Sequence, residues 1–505
     1  MMSQTVRHQA ERLGTLRNRL ERRLERSRHL RQLLLLLASG AGVMLVLAPP
    51  ALFLASAGAG LWLGSHSQGP LDWFLVEVCT AVALFTGLLS VQLFFIHPAR
   101  PPGLALDEAD APDITSMTRR RIDHFRAGTV DDILLTTDAE LEMRTTPTLP
   151  LPFRHRHTLC LGAPLLHFLS REQFRLALAG CVAAAARTRQ GVSGRALQSL
   201  YDWPLIAAAF GSSRLLVARL LRRPLNLVAG LVGTLGSELQ EQQEQFPFRW
   251  IQKQAGEDRA ADYLAALVVA RAFLIDCYWP MVYKATERCA RPVVKPFSHF
   301  GLLLEKLLDE AEARQWLLQA QSGHGGAPDT KELLATLDID YLHWHGLPER
   351  SAIQTLFDSN DILKRLDQYW QASVQEEWQR RYDGFQNDRK RFERLHARWQ
   401  AEGLDGRSVL NYIRLAARFI DREKALATFS DIYQANANEP QVCFSCGREM
   451  LRMGFLQAGQ AALQRAAELD SSLSNQAHAL INGRQPPALE EHDGEPHASR
   501  LSKAG

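Results

Sequence analysis

Two long apolar runs near the N-terminus limit what this chain can fold into more than any other feature. The first extends from Leu33 to Leu63 without a charged residue, and the second extends from Trp73 to Ile96 with Glu77 as its one charge. Each run exceeds the ~20 residues that a helix needs to cross a bilayer. The sequence therefore predicts a transmembrane helical hairpin at residues 32–97, with membrane lipid as a partner.

The charges around the hairpin predict its orientation. Residues 1–31 contain nine arginines against three glutamates, and their leucines recur at helical spacing, which predicts a basic amphipathic helix. The segment Arg100–Arg121 also contains arginines, whereas the break between the apolar runs has no Lys or Arg. Because positive charge favours the cytoplasmic side, we expect a two-pass membrane protein with both termini and the soluble bulk in the cytoplasm.

Length and composition bound the rest of the chain. A length of 505 residues predicts two or three folded units. The 58 basic and 55 acidic residues nearly cancel, which argues against a nucleic-acid partner. Seven scattered cysteines do not form a disulfide framework, so we expect a reducing compartment.

Residues 98–113 are rich in Pro, Ala and acidic side chains, and the sequence predicts a linker at residues 98–128. Two segments beyond it, Ile133–Thr137 and His157–Leu161, have the composition of strands, and three prolines are expected to break the chain between them. The segment 203–239 is apolar, but arginines interrupt it before ~20 uncharged residues accumulate. It predicts an amphipathic element that rests on the bilayer or packs in the domain.

A capped and buried helix is predicted from residue 170 to residue 187. Ser170 and Gln173 have the spacing of a capping box, in which each side chain bonds to the other residue's backbone N–H. Behind this cap, Phe174, Leu178 and Cys181 recur three and four residues apart on one face.

The same helix carries a resemblance to a known family. The leucine-rich approach at residues 161–166, the run Leu-Ser-Arg-Glu-Gln and the pair Leu178-Ala179 resemble the active-site helix of membrane-bound zinc metallopeptidases, the family of HtpX and the CaaX prenyl proteases. In that family His-Glu-x-x-His follows, with two imidazoles on zinc and the Glu activating its water. Here the corresponding positions are Gly180, Cys181 and Ala184.

A second segment is similar to the family's third ligand motif, Glu-x-x-Ala-Asp. Asp258 stands at the ligand position and Asp262 at the position of the supporting Asp, while Glu257 is an alternative ligand if the register slips by one. The resemblance implies an α+β metallopeptidase-like domain at residues 129–300, with a small sheet whose edge strand holds substrate along the cleft. It also implies the bacterial inner membrane as the location.

The residues available for zinc are few. No two of the 16 histidines are four residues apart, and His155/His157 could share a face only in a strand. Cys181 could join Asp258 and a distant histidine, but Gly180 and Ala184 supply no second ligand from the same helix. We therefore expect no catalytic residue at 180, 181 or 184, no bound cofactor and no metal centre. Asp258 and Cys181 are the remnant candidates for zinc, and Asp262 is a remnant supporting residue.

The C-terminal third is predicted to be helical. Residues 301–400 predict a helical connector that includes a long charged helix from Leu363 to Trp399. Residues 401–482 contain a pattern repeated after 33 residues that resembles tetratricopeptide repeats, which bind peptides or proteins. Residues 483–505 predict a disordered tail. The expected fold class is thus mainly α, with a membrane hairpin, an α+β domain and helical repeats.

Two functions of different class follow from these expectations. The favoured hypothesis is a membrane-anchored pseudopeptidase, a catalytically degenerate metallopeptidase-like protein that acts as a binding or scaffold module for proteins or peptides. The alternative is an active membrane zinc endopeptidase in protein quality control that uses non-standard ligands. A weaker third hypothesis is a structural assembly factor in which the peptidase resemblance is only ancestry.

Overall fold

The computed structural model describes residues 28–66, 69–322, 328–357, 361–404 and 406–482. These residues form a mainly helical protein with one small mixed sheet, as the sequence predicted. They divide into two compact units, of which the first holds the described residues up to 279 together with 295–370. The basic helix predicted before residue 28 and the tail predicted at 483–505 lie outside the described residues.

The first unit begins with two long helices, α1 (Arg28–His66) and α2 (Pro70–Leu93). Both are long and apolar enough to cross a membrane, and most of their side chains are not covered by the rest of the protein. At the start of α2 the Asp72 carboxylate accepts a hydrogen bond of 3.2 Å from the backbone N–H of Gly69, and Pro70 occupies a first-turn position where its missing N–H costs nothing. The predicted pair of membrane-spanning helices is thus found at the level of length and composition.

A four-stranded sheet follows the two helices, in the order β1-β2-β4-β3. The β2 and β4 strands are parallel, whereas β1 and β3 are antiparallel to their neighbours. The strands are β1 (Leu104–Leu106), β2 (Asp132–Thr136), β3 (Leu141–Leu149) and β4 (Leu151–Gly162).

Two of the three prolines expected to break the chain between the two predicted strands, Pro147 and Pro152, lie inside strands, and only Pro150 stands between β3 and β4. Pro147 lies inside β3, opposite His155 of β4, next to an irregularity in the register. It is tolerated because β3 is an edge strand, where one side of the backbone needs no partner. The result is a β3–β4 hairpin where the sequence predicted an interruption.

The segment predicted as a linker, residues 98–128, is part of the folded unit. It contains β1, which pairs with β2, and the helix α3 (Pro112–Phe125). On α3 the side chains of Ile114, Thr118 and Ile122 recur at helical spacing and are buried. The Pro-rich and acidic composition belongs to the turns around these elements, so composition alone misplaced the boundary.

Five helices form the centre of the first unit. They are α4 (Ala163–Phe168), α5 (Arg171–Arg187), α6 (Gly191–Ser212), α7 (Leu216–Ala255) and α8 (Glu257–Ala272). The capping box predicted for α5 is confirmed, with Gln173 N–H to Ser170 Oγ at 3.2 Å and Ser170 N–H to Gln173 Oε1 at 2.9 Å. The predicted buried face of this helix is also confirmed, since Phe174, Leu178 and Cys181 are all buried.

The α6–α7 hairpin packs beside α1 and α2. The Trp203 indole N–H donates to Ser39 Oγ at 2.8 Å, and the backbone N–H of Val217 donates to Gln92 Oε1 at 3.1 Å. Apolar side chains of the four helices share one buried cluster, which includes Leu35, Leu89 and Trp203. Residues 203–239 were predicted either to rest on the bilayer or to pack in the domain. Much of this segment packs within the first unit.

Short elements follow α8 along the chain. They are a π-helical turn (Phe273–Tyr278), α9 (Trp279–Tyr283), a 3-10 turn (Lys284–Glu287), α10 (Phe300–Leu307), α11 (Glu310–Ser322), α12 (Pro328–Leu337) and α13 (Ala352–Leu356). Residues 301–370 were expected in a separate connector but belong to the first unit. Backbone bonding holds this segment in place, with Ala352 N–H donating to Leu169 C=O at 2.6 Å.

The second unit contains residues 280–294 and 371–482. The long helix predicted from Leu363 lies within α14 (Asp361–Glu402), and α15 (Gly406–Phe419), α16 (Arg422–Ala435), α17 (Pro440–Arg452), α18 (Leu456–Leu469) and α19 (Ser471–Ile481) follow it. Trp399 of α14 packs on a core that includes Tyr412, Phe429 and Cys446. Phe392 of α14 packs on the same core, so the C-terminal half of this helix is part of the packing of the second unit.

Candidate functional site

Gly180 is a packing residue between α5 and α7. A Cβ atom built on Gly180 would lie 2.9 Å from the backbone oxygen of Pro247 and 3.5 Å from the Ile251 side chain. Real Cβ atoms almost never approach a backbone oxygen so closely, and a backbone atom cannot swing aside as a side chain does. The position that would hold the first histidine of the zinc motif is thus occupied by a contact between two helices.

Cys181 is buried on the same helix, with 5% of its surface exposed. Burial raises the pKa of its thiol above the ordinary range, with the charge of Glu142 acting in the same direction. A thiol that resists ionisation is a poor nucleophile and a poor metal ligand, because both roles require the thiolate. Cys181 therefore behaves as a small apolar side chain.

Ala184 is buried one turn further along α5. Its backbone carbonyl accepts a hydrogen bond of 2.7 Å from the side-chain amide of Gln243, which is itself buried on α7. This carbonyl lies in the last turn of α5, where intrahelical partners run out, so Gln243 satisfies an otherwise unpaired acceptor. Gly180, Cys181 and Ala184 together serve the packing of α5.

Asp258 and Asp262 lie on the first two turns of α8 and differ in their surroundings. Asp258 is exposed and has no hydrogen bond or ion pair to any residue that the structure describes. Asp262 is half-buried, and its carboxylate lies 3.5 Å from Nε2 of His345. Between them, Arg259 forms an ion pair of 3.0 Å with Glu172, which joins the beginnings of α5 and α8.

A cleft of about 240 Å³ opens beside these residues. Its lining combines charged, amide and aromatic side chains, namely Phe168, Ser170, Gln173, Arg259, Asp262, Ala266 and the loop 343–348. That loop was predicted as part of a helical connector, so the sequence missed its role. Its one signal was the pair His343/His345, whose rings are 6.2 Å apart in the structure.

The polar residues 155–157 of β4 also have partners within the protein. His155 Nε2 lies 2.9 Å from Oδ2 of Asp202, which is buried on α6, and His157 Nδ1 lies 3.1 Å from Oγ1 of Thr145. Arg156 pairs with Asp132 on the neighbouring strand. These contacts tie β4 to α6, β3 and β2, which is a structural role.

A titratable cluster that the sequence did not reveal lies on the edge strand β3. Arg144 forms ion pairs with Glu140, at 2.8 Å, and with Glu142. Burial raises the pKa of Glu140, and the charge of Arg144 opposes that shift. Burial also raises the pKa of the nearby Cys160 thiol to about 12. One guanidinium shared by two carboxylates is a self-contained ion network, and none of these three residues lines the cleft described above.

The residues present do not fit a zinc site of the family type. Such a site needs three protein ligands with an open position for water. Gly180 and Ala184 have no donor atoms, the Cys181 thiol is held protonated by burial, and Asp258 is directed to solvent. Within the described ranges, no group of three or more His, Cys, Asp or Glu side chains is arranged to hold a metal ion.

The fold is that of a mainly helical protein with two helices able to cross a membrane. Its candidate site is a polar cleft where the beginnings of α5 and α8 meet. No family model matches this chain, and no curated protein is significantly similar to it.

Proposed function

We propose that this protein is a membrane-anchored, catalytically degenerate metallopeptidase-like protein that binds proteins or peptides. In this proposal α1 and α2 hold it in the membrane, with both termini and the soluble bulk in the cytoplasm. The polar cleft and the C-terminal helices, which resemble tetratricopeptide repeats in sequence, are the binding surfaces.

The observation that carries the proposal is the contact of Gly180 with Pro247. The position where a peptidase would place a zinc ligand is filled by the backbone of α7, which leaves no space for an imidazole. The hydrogen bond from Gln243 to Ala184 supports the same conclusion, because it makes α5 part of a packed pair of helices. In this proposal residues 180–184 serve packing, and α5 borders the cleft only at its beginning, through Ser170 and Gln173.

The cleft supports binding for a separate reason. It is bordered by Phe168 and Trp344, whose aromatic faces suit apolar side chains, and by Arg259 and Asp262, which suit the ends or the polar groups of a peptide. Ligand sites commonly combine an apolar lining with a few polar groups of this kind. The extended loop 343–348 along the cleft adds backbone groups that a bound chain could meet.

The test uses the full-length protein in nanodiscs, with zinc supplied during purification and the excess removed. Elemental analysis measures zinc per chain in the parent and in Cys181→Ala and Asp258→Ala variants. The same samples are incubated with a fluorescent unstructured polypeptide, and binding is followed by anisotropy and cleavage by mass spectrometry. We expect binding without fragments and no stoichiometric zinc.

Two variants locate the binding. Asp262→Asn with His345→Gln alters the cleft and should weaken polypeptide binding, whereas Lys331→Gln, on α12 and away from the cleft lining, should not. Fragments that disappear on chelation and in Asp258→Ala would overturn the proposal in favour of an active zinc endopeptidase. Equal polypeptide binding in all variants would show that the cleft is not a binding surface.

A further inference from the structure

The segment in which α6 ends and α7 begins, residues 210–224, is strongly basic, and we refer to it as the arginine tip. It contains Arg214, Arg219, Arg222 and Arg223, no acidic residue occurs from residue 203 to residue 237, and all four arginines are solvent-exposed or at the surface. None of them forms an ion pair with a carboxylate in the part of the chain that the structure describes. Four uncompensated guanidinium groups so close together repel each other, which favours an anionic partner.

Exposed apolar side chains lie between these charges. Leu216 and Leu220 are one helical turn apart on α7 and point away from the packed face, while Phe94 and Phe95 are exposed just beyond the end of α2. A surface that mixes Arg with Leu and Phe is typical of segments that rest in the headgroup region of a bilayer. There the apolar groups enter the lipid and the long arginine side chains reach the phosphates.

The position of the arginine tip relative to α2 agrees with this interpretation. The hydrogen bond from Val217 N–H to Gln92 Oε1 fixes the tip at the C-terminal end of α2. Trp73 lies at the opposite end of the same helix, and the stretch from Trp73 to Gln92 measures about 28 Å at 1.5 Å per residue. The hydrocarbon core of a bilayer is ~30 Å thick, so Trp73 and the arginine tip are separated by about the thickness of one bilayer.

We propose that the arginine tip binds the phosphate groups of anionic phospholipids at the bilayer surface where α2 ends. The proposal rests on insertion of α1 and α2 in the membrane, which is part of the proposed function, and adds a second, lipid-selective contact. An acidic protein surface is the less favoured partner, because the leucines between the arginines and the distance of one bilayer thickness to Trp73 are features of a lipid interface.

The experiment places a photo-crosslinking amino acid at one of three exposed leucines in the full-length protein. Leu84 lies in the middle of α2 and is 71% exposed, Leu220 lies in the arginine tip and is 57% exposed, and Leu318 lies on α11 and is 65% exposed. Each protein is reconstituted in nanodiscs of phosphatidylcholine with a minority of phosphatidylglycerol. Mass spectrometry after irradiation identifies the lipid in each adduct.

We expect lipid adducts at Leu84 and Leu220 and none at Leu318. At Leu84 the adducts should contain the two lipids in their bulk proportion, whereas at Leu220 phosphatidylglycerol should be enriched by about twofold or more. Replacement of the four arginines by glutamine should return the Leu220 adducts to the bulk proportion. Replacement by lysine keeps the charge and should retain most of the enrichment.

Each other outcome counts against the proposal in a different way. A lipid adduct at Leu84 with none at Leu220 would leave the anchor in place and overturn the lipid site. Adducts of Leu220 with protein would identify a protein partner or a second copy instead. Absence of lipid at Leu84 would overturn membrane insertion itself. Enrichment that survives the glutamine replacements would show that the arginines do not cause it.

Discussion

The side-chain amide of Gln243 on α7 donates a hydrogen bond of 2.7 Å to the backbone carbonyl of Ala184 on α5. Both residues are buried, and Ala184 stands where the proposed resemblance to zinc peptidases would place a second histidine. The bond uses the carbonyl that the end of α5 leaves free. It thereby joins two helices at the place where the resemblance would put a metal.

Replacing Gln243 with Ala should destabilise the protein. The change removes the partner of a buried carbonyl, which costs about 1–3 kcal/mol. Thermal unfolding of the detergent-solubilised protein, followed by tryptophan fluorescence, measures the effect. Gln240→Ala is the control, since Gln240 is exposed on the same helix and its side chain bonds, among the described residues, to Glu244 alone. Equal unfolding midpoints for the two variants would contradict the prediction.

Replacing Gly180 with Ala should also destabilise the protein, because the new Cβ would lie 2.9 Å from the Pro247 oxygen and force α5 and α7 apart. Overpacking of this kind costs about 1–3 kcal/mol. Gly230→Ala on α7 meets no atom within 4 Å and should stabilise the helix by ~0.5–1 kcal/mol. Unfolding midpoints that move in opposite directions would support the prediction, and a neutral Gly180→Ala would refute it.

The contact between α1 and α6 depends on Gly42. A Cβ at Gly42 would lie 2.4 Å from the Trp203 ring, whereas a Cβ at Gly40 would meet nothing within 4 Å. Gly42→Ala should therefore displace the buried Trp203 indole and lower stability by about 1–3 kcal/mol. Tryptophan fluorescence and the unfolding midpoint report both effects. Gly40→Ala, on the same helix, should leave the fluorescence close to that of the parent and, like Gly230→Ala, should not lower the unfolding midpoint.

Stability should fall as pH is lowered from about 6.5 towards 4, in part because of His157. Burial lowers the pKa of His157 to about 4, with the charge of Arg189 acting in the same direction. At pH values between the pKa of His157 in the folded protein and its unfolded value of about 6.5, the unfolded chain binds a proton that the folded protein does not bind. The contribution is present above the unfolded pKa and is lost as pH falls towards the folded one.

The His157→Gln variant measures that contribution. Glutamine can keep a hydrogen bond to Thr145 but cannot take up the proton, so the slope of stability against pH should become shallower in this range. One proton corresponds to at most about 1.4 kcal/mol per pH unit, and solvent screening reduces this because the ring is partly exposed. Unfolding midpoints at closely spaced pH values give the slope. An identical slope in the parent and the variant would rule out His157 as a contributor.

Local features of this protein were determined by its sequence alone. The uncharged runs were enough to predict two helices that could cross a membrane, since length and hydropathy decide that property. Ser170 and Gln173 were enough to predict the start of α5, because a capping box involves neighbours three residues apart. The repeating apolar spacing likewise predicted burial of Phe174, Leu178 and Cys181, although α5 is buried on every side from residue 177 to residue 184.

Contacts between distant segments were decided only by the tertiary structure. Pro247 lies 67 positions beyond Gly180, and no local pattern indicates that its backbone would fill the space above that glycine. The loop that carries His345 lies beside Asp262 for the same reason, as it reaches the cleft through backbone bonding of Ala352 to Leu169. Pro147 is accommodated because β3 is at the edge of the sheet, a property of the strand order. Packing and strand order depend on the whole chain, and they determined whether the residues at 180, 181 and 184 border an open site or the interior of the protein.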